Sequence, residues 1–504
     1  MPTAPPAHVS PPEADEVHSV MAALRSPKRL KTEVLAGLVV ALALIPEAIS
    51  FSIIAGVDPR LGLFASFTMA VSIAFLGGRP AMISAATGAV ALVIAPVARE
   101  HGLDYFIATV ILAGIFQVVL GVIGVAKLMR FIPRSVMVGF VNSLAILIFL
   151  AQIPHLVDVP VLVYPLVVVG LAMLVYLPRL TTVVPAPLVA IVVLTTVTVV
   201  FALDVPTVGD EGALPESLPS LLFPDVPLTV ETFQIIAPYA LAMALVGLLE
   251  SLMTAKLVDD ITDTHSNKSR EAWGQGAANI ITGLFGGMGG CAMIGQTMIN
   301  VKASGARTRI STFLAGVFLL VLVVGLGDVV AIMPMAALVA VMIMVSVGTF
   351  DWHSIRIATL RRMPKSETTV MVATVAVVVA THNLAIGVIV GVIVATLLFA
   401  RRVAHLTEVT RLDSDDPARR VYAVTGALFF ASSNDLVYQF DYAGDPDDVV
   451  IDMSGAQIWD ASTVATLDAI TTRYERKGKT VTITGLDPES AARHERLAGQ
   501  LGGE

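Results

Sequence analysis

The sequence predicts an α-helical polytopic membrane protein that ends in a small soluble α/β domain. Two features carry this prediction. Of 504 residues, 56% are hydrophobic and 14% charged, whereas soluble domains run near ~45–50% and ~25%. The charge is also segregated: of 32 Lys/Arg and 40 Asp/Glu, 9 and 17 lie in residues 405 to 504, which leaves 23 of each before them. The net charge of −8 therefore sits in the last hundred residues. Residues 34–403 carry the long apolar runs, residues 1–33 form a Pro-rich charged leader, and residues 404–504 form the soluble domain. The leader has no short apolar stretch of the signal-peptide kind, so it is expected to stay cytosolic.

Runs long enough to span a bilayer core, about twenty residues each, start near Val34, Leu61, Phe106, Ser135, Val159, Pro187, Thr232, Trp273, Ile310, Val330, Thr368 and Leu384. Two further stretches, Ala81 to Val97 and Cys291 to Ser304, are apolar but short and rich in small residues. Counting them gives fourteen segments. Short cytoplasmic loops carry the Lys/Arg excess, and with the amino terminus inside, the inner loops collect residues such as Arg25, Lys28, Lys127, Arg130, Arg179, Lys302, Arg307, Arg361 and Arg401. The longest loop, Asp204 to Glu231, then falls outside with six acids and no Lys or Arg.

The two short stretches resemble each other. FLGGRPAMISAATG (Phe75 to Gly88) and FGGMGGCAMIGQTM (Phe285 to Met298) share a GG and an AMI 211 residues apart. Seven crossings separate them, and an odd number inverts the second copy, which divides the chain into repeats of about 34–203 and 232–403. Inverted repeats mark secondary transporters. A helix from Ala86 to Val97 spans only ~18 Å, so it ends at mid-membrane after extended backbone at Pro80 to Ala85. A second short helix beginning near Gly295 approaches it from the other side. Two amino termini meeting at one point present free N–H donors and partial positive charge, a point suited to an anion.

Three further segments, LAGLVVALALIPEAISFSIIAG (Leu35 to Gly56), ALVGLLESLMTAKLVDD (Ala244 to Asp260) and GQTMINVKASGARTRIS (Gly295 to Ser311), resemble the sulfate permease (SulP) family, the solute carrier 26 anion transporters. The resemblance implies two inverted halves of seven spans, a core domain carrying the two half-helices, a gate domain against which the core moves, a homodimer, and a carboxy-terminal STAS domain. The tail agrees: Val421 to Ser432, Val449 to Gly455 and Thr480 to Gly485 read as strands, and Ala461 to Gly478 and Asp487 to Gly499 as helices. STAS domains of the anti-sigma antagonist type place Asp-Ser after the central strand. Here the matching residues are Asp460 and Ala461 with Ser462 adjacent, which disfavours a phosphorylation switch there.

The expected substrate-binding set is Ser84, Ala85 and Thr87 from the first short stretch and Gly295, Gln296 and Thr297 from the second. Animal relatives carry Ser-Arg-Thr where this chain has Gly295, Gln296 and Thr297, so the anion-pairing Arg is missing. Glu47 lies thirteen residues into the first span beside Pro46, and an ionisable residue at that depth is a functional candidate by default. Many relatives have Gln there. Glu250 and Thr254 share one face of the eighth span, where sodium-coupled relatives place an acid and a Thr. Glu47, Glu250 and Thr254 are the coupling candidates. The missing Arg and the added carboxylate point to cation-coupled symport, with H+ the expected coupling ion; a sodium-coupled symporter or an anion exchanger is the alternative, ahead of a chloride channel or a voltage-driven motor. A nucleobase:cation symporter would share the fold without the STAS tail.

Other positions carry bland expectations: Cys291 as a small residue without reactive role, Gly387 and Gly391 as helix packing, Arg79 as a cytosolic loop charge, Lys256, Asp259 and Asp260 as a solvated helix end, and Lys302 at the end of the tenth span. No phosphate loop, HExxH or CxxC occurs, so no catalytic residue, resident cofactor, metal or nucleic-acid partner is expected and the chain does not read as an enzyme. The expected setting is the plasma (inner) membrane with both termini cytoplasmic, and the expected partners are a small anion (sulfate, bicarbonate or a dicarboxylate), lipid and a second copy of the chain.

Overall fold

The computed structural model describes residues 18–500 apart from 126, 128–131, 181–184, 216, 405–406, 413–415 and 434–435. Arg130, Glu216 and most of the leader lie outside the described residues. The chain divides into two compact units, Met1–Val392 and Ile393–Glu504.

Fourteen segments run through the apolar part. We label the helices α1 (Pro27–Ala55), α2 (Pro59–Leu76), α3 (Gly88–His101), α4 (Leu103–Ile123), α5 (Arg134–Leu150), α6 (Val163–Leu180), α7 (Ala186–Val200), α8 (Val230–Thr262), α9 (Lys268–Leu284), α10 (Ile294–Met298), α11 (Arg309–Gly325), α12 (Met335–Thr349), α13 (Lys365–Thr381) and α14 (Leu384–Ala404). Among the described residues seven stretches, α1, α2, α4, Arg134–Leu156 (α5 and its continuation), α6, α8 and α14, are by length and composition long and apolar enough to cross a membrane. The others are shorter, and α10 continues only through a π turn at Ile299–Ala303.

The helices sort into two groups by packing. In the first, α9 lies along α4 and α2, α11 along α1 and α2, and α8 along α4 and α3. In the second, α13 lies along α5 and α12 along α5 and α6. These are the core and gate that the resemblance implied, and within this unit the core holds both half-helices. Glycines permit the closest approaches. Gly114 of α4 and Gly276 of α9 face each other so closely that a Cβ on either would press on the other's carbonyl oxygen. Gly387 and Gly391 of α14 similarly receive Val378 and Thr374 of α13, in line with their reading as packing residues.

A buried carboxylate ties α1 to α11. Glu33 accepts from the Arg307 and Thr308 N–H groups (2.8 and 3.0 Å) through Oε1 and from Ser311 N–H (3.2 Å) through Oε2. These are donors at a helix start, which have no intrahelical acceptors.

The second unit contains a four-stranded sheet in the order β3-β4-β5-β6, with β3 (Glu408–Leu412), β4 (Arg419–Leu428), β5 (Asp448–Ile458) and β6 (Thr480–Thr484). The β4–β5 and β5–β6 pairs are parallel and β3–β4 antiparallel. Helices α15 (Ala461–Glu475) and α16 (Pro488–Leu497) accompany it. Tyr422, Val424, Val449, Ile451 and Met453 from the strands meet Val464, Leu467, Ile470 and Tyr474 of α15 in one core. The edge strand β3 is an addition to the sequence reading; its EVTRL has no apolar alternation and is largely exposed. Asp460 caps α15, accepting from Thr463 N–H (3.0 Å) and also from Phe430 N–H (2.6 Å). It thus pins the turn that precedes the exposed Ser462.

Candidate functional site

The two short stretches meet in a two-stranded antiparallel pair beside their AMI motifs, β1 (Ser84–Ala85), just after the first AMI, with β2 (Cys291–Ala292), at the start of the second; Ser84 faces Ala292 and Ala85 faces Cys291. Each strand leads directly into a half-helix, β1 into α3 and β2 into α10. Because the strands are antiparallel, the two helices leave the pair in opposite directions, and both amino termini remain at the pair. Gly290 makes the close approach possible, since a Cβ there would collide with the Ala85 carbonyl. Ala81, just upstream, adopts φ 60°, a left-handed conformation that costs a non-glycine residue about 1 kcal/mol or more. Its carbonyl accepts from Asn300 (2.8 Å).

Each predicted site side chain can now be placed. Ser84 Oγ accepts from Gln275 Nε2 (2.7 Å), and Thr87 caps α3 by accepting from Val90 N–H (3.4 Å) while its hydroxyl meets Cys291 Sγ (3.1 Å). Thr297 Oγ1 accepts from Ile83 N–H (3.0 Å). These three hydroxyls thus brace the strand pair and its helices. Ala85 and Gly295 contribute backbone at the two helix starts. Gln296 differs: its Nε2 donates to Glu47 Oε1 at 2.9 Å, while its buried Oε1 has no hydrogen-bond partner among the described residues. Glu47 and Gln296, assigned from the sequence to coupling and to substrate, are joined directly.

Glu250 is buried and accepts from Cys291 Sγ (3.0 Å), so Thr87, Cys291 and Glu250 form one chain from α3 to α8. Thr254 lies one turn on, but its hydroxyl donates to the Glu250 backbone carbonyl (2.8 Å) rather than to the carboxylate. Neighbouring Ser251 accepts from Ala292 N–H (3.1 Å), fixing β2 to α8.

Sequence reasoning passed over a second polar layer. Glu271, Gln275 and Asn279 of α9 are all buried. Glu271 accepts from the Gly78 and Arg79 N–H groups (2.7 and 3.0 Å) and from Gln275 (2.8 Å). Asn279 brackets Gly290 through both its oxygen and its nitrogen (2.8 and 3.0 Å). The spacing i, i+4, i+8 within an otherwise small-residue helix was the available signal.

Arg79 corrects the reading of a solvated loop charge: it is 4% exposed, pairs with Asp259 at 3.0 Å, and donates to Thr264 (2.8 Å) and Thr262. Asp259 is likewise no free helix end, since Lys268 also binds it (2.5 Å). Lys256 and Asp260 are exposed and pair with each other (3.3 Å), as expected for a solvated helix end.

A helical membrane unit with two half-helices that start at one strand pair, followed by an α/β tail, is the fold of a membrane transporter with a STAS domain. The sulfate permease family model matches residues 30–165 and 159–374, and the STAS domain model residues 409–498. The chain belongs to the sulfate permease family. It is 52% identical, over 93% of this chain and 97% of the relative, to the Bacillus subtilis (strain 168) protein named "Putative sulfate transporter YbaR". It is 25% identical, over 93% and 91%, to the bicarbonate transporter BicA of Picosynechococcus sp.. In fold it is similar to the transmembrane domain of a cyanobacterial BicA (TM-score 0.63, 24% identity, 73% of this chain and 98% of that one). It is also similar to the murine Solute Carrier 26 family member A9 anion transporter in the inward-facing state (TM-score 0.78, 16% identity, 93% and 87%).

Proposed function

We propose that this protein is a secondary active symporter that carries a small oxyanion or dicarboxylate with a proton, with Glu47 as the coupling group. The observation that carries the reading is the Glu47–Gln296 hydrogen bond, which places the first span's carboxylate on the half-helix expected to receive the anion. The position where animal relatives have Arg is Gln296, and the acidic side chains of this region are Glu47, Glu250 and Glu271, the last held by the Gly78 and Arg79 N–H groups and Gln275. An anion entering beside an ionised carboxylate meets like-charge repulsion that is strong where water is scarce. Protonating Glu47 removes that repulsion, so proton and anion bind together. Alternating movement of the core against the gate then exposes both ligands on the other side.

Sulfate is the first substrate to test, because the 52%-identical relative is named for it; bicarbonate and dicarboxylates follow. Sodium coupling through Glu250 and Thr254 is the second reading: the Thr254 hydroxyl donates to the Glu250 carbonyl and keeps its oxygen lone pairs free for a cation beside the Glu250 carboxylate. The working unit is proposed to be a homodimer in the plasma (inner) membrane, with the STAS domain cytoplasmic. The test is uptake of sulfate, bicarbonate and succinate into proteoliposomes with an inward proton gradient, an inward sodium gradient, or neither. Acceleration by the proton gradient alone supports the proposal, and acceleration by sodium alone overturns it.

A further inference from the structure

The Gln296 carboxamide combines two features. Its nitrogen donates to Glu47 Oε1 at 2.9 Å, and its oxygen is buried with no partner among the described residues, in a side chain only 2% exposed. A buried acceptor without a donor is costly and calls for an occupant or a rearrangement. Sulfate or a doubly ionised dicarboxylate cannot satisfy it, because such an anion offers acceptors only.

We infer that Gln296 is a positioning residue whose carboxamide turns over when Glu47 is protonated, so that its N–H donors reach the anion only in the protonated state. The inference rests on the proposed proton coupling and adds the device that links proton to anion. An ionised carboxylate can only accept, so it holds the amide nitrogen and leaves the amide oxygen toward the site. That arrangement repels an anion a second time, beyond the charge of Glu47 itself. When a proton arrives on Glu47, its O–H becomes a donor and can satisfy Gln296 Oε1. The carboxamide then rotates by about half a turn about its last side-chain bond, and the NH2 group faces the anion. The proton stays on Glu47 during carriage and leaves to water on the far side after the anion departs. The amide returns to the carboxylate, and no bond in Gln296 is made or broken.

The surroundings leave this pair to set the local charge. On α1 the other ionisable residues are Lys28, Arg29, Lys31 and Glu33, all in its first two turns. On the elements packed against α1, Arg25 ends the short helix Val20–Arg25, Arg60 starts α2, Arg99, Glu100 and His101 end α3, Lys302 lies in the π turn after α10, and Arg309 starts α11. Helices α7 and α12 carry none. Around the strand pair the other ionisable groups among the described residues are Glu250 and Cys291, which bond each other, and Glu271, which shares Gln275 with Ser84 and is held by the Gly78 and Arg79 N–H groups.

The test compares anion affinity at the acidic and alkaline ends of the wild-type pH profile, using the purified full chain and whichever of sulfate, bicarbonate or succinate it accumulates. In Gln296→Met, affinity is expected to fall about tenfold at the acidic end, the worth of roughly one good hydrogen bond to a charged group. At the alkaline end it should change less than about twofold, because the donor is already withheld there. Equal losses at both ends would overturn the inference, since a fixed donor or a purely structural side chain acts at every pH. Gln296→Asn, which keeps the amide but shortens its reach, is expected to repeat the acid-confined loss and serves if the Met variant does not fold. In Glu47→Gln the neutral amide can donate to Gln296 without a proton, so affinity should stay near the wild-type acidic value throughout. Wild-type affinity that ignores pH would sink the proton-coupling proposal itself, a different failure from equal losses in Gln296→Met.

Discussion

Gln296 on the second half-helix donates a 2.9 Å hydrogen bond to Glu47 in the middle of the first span, joining the two inverted halves at the point where their half-helices meet. On the proposed reading, protonation of Glu47 beside this neutral carboxamide lowers the local negative charge, and coupling and recognition are one event.

The chain Thr87–Cys291–Glu250 predicts a different kind of sensitivity. Cys291→Val removes the sulfur that bridges a hydroxyl and a buried carboxylate and should destabilise the core by about 1–3 kcal/mol, whereas Cys291→Ser should be tolerated. Glu250→Gln should insert normally yet transport poorly. Thr254→Ala should cost less than about 1 kcal/mol, since only a bond within its own helix is lost. Detergent-solubilised melting and uptake, measured side by side with a sodium titration, check all four. Sodium-dependent rescue of Glu250→Gln would count against the proton reading.

Glu33 offers a test of the scaffold alone. Its carboxylate serves three backbone N–H groups at the start of α11. Glu33→Ala should lower stability by about 2 kcal/mol or more, because it orphans those donors, and Glu33→Gln should lower it less. The readout is the thermal midpoint of the purified protein; an unchanged midpoint in Glu33→Ala would show the cap to be dispensable.

How much of this was legible in the sequence depends on the range of the interactions. The two half-helices were legible because both copies carry the same AMI, and most of the tail because its strands and helices are local patterns, whereas the pairing of Ser84–Ala85 with Cys291–Ala292 was not. Glu47 and Gln296 each stood out separately, one as a deep carboxylate and the other as a replaced Arg. Their bond was not legible, because it joins residues 249 positions apart. Arg79 read as a loop charge for the same reason: a Gly-Gly-Arg-Pro turn looks solvated until Asp259, Thr262 and Thr264 are folded against it. The α9 stripe of Glu271, Gln275 and Asn279 was open to view but lost among the polar residues at a helix start.

The tail should respond to alkali. Tyr422 and Tyr474 both donate to Asp445 (2.8 and 2.6 Å), and burial, with the carboxylate adding to it, pushes both phenols above their usual range. A raised folded-state value means stability that is intact below the unfolded phenol's ~10 and is lost as pH rises beyond it. A fragment covering residues 407–500 should therefore fold in water and unfold in strong alkali. Tyr474→Phe should lower its stability at neutral pH and flatten the alkaline loss, as followed by circular dichroism.

A chain ending near Arg402 tests the division of labour. Every side chain placed at the candidate site precedes that residue, so the truncated protein should bind the anion with an affinity within about threefold of the full chain, although its rate or abundance can fall. Calorimetry on folded, truncated material that shows no binding would mean that the tail helps to build the site.

Proton-driven accumulation in proteoliposomes addresses the central claim most directly, comparing the wild type with Glu47→Gln. The account predicts that an inward proton gradient drives the wild type to concentrate its anion above equilibrium. Glu47→Gln should bind the anion but only equilibrate it, with no response to the gradient. Gradient-driven accumulation that persists in Glu47→Gln with unchanged pH dependence would contradict the account.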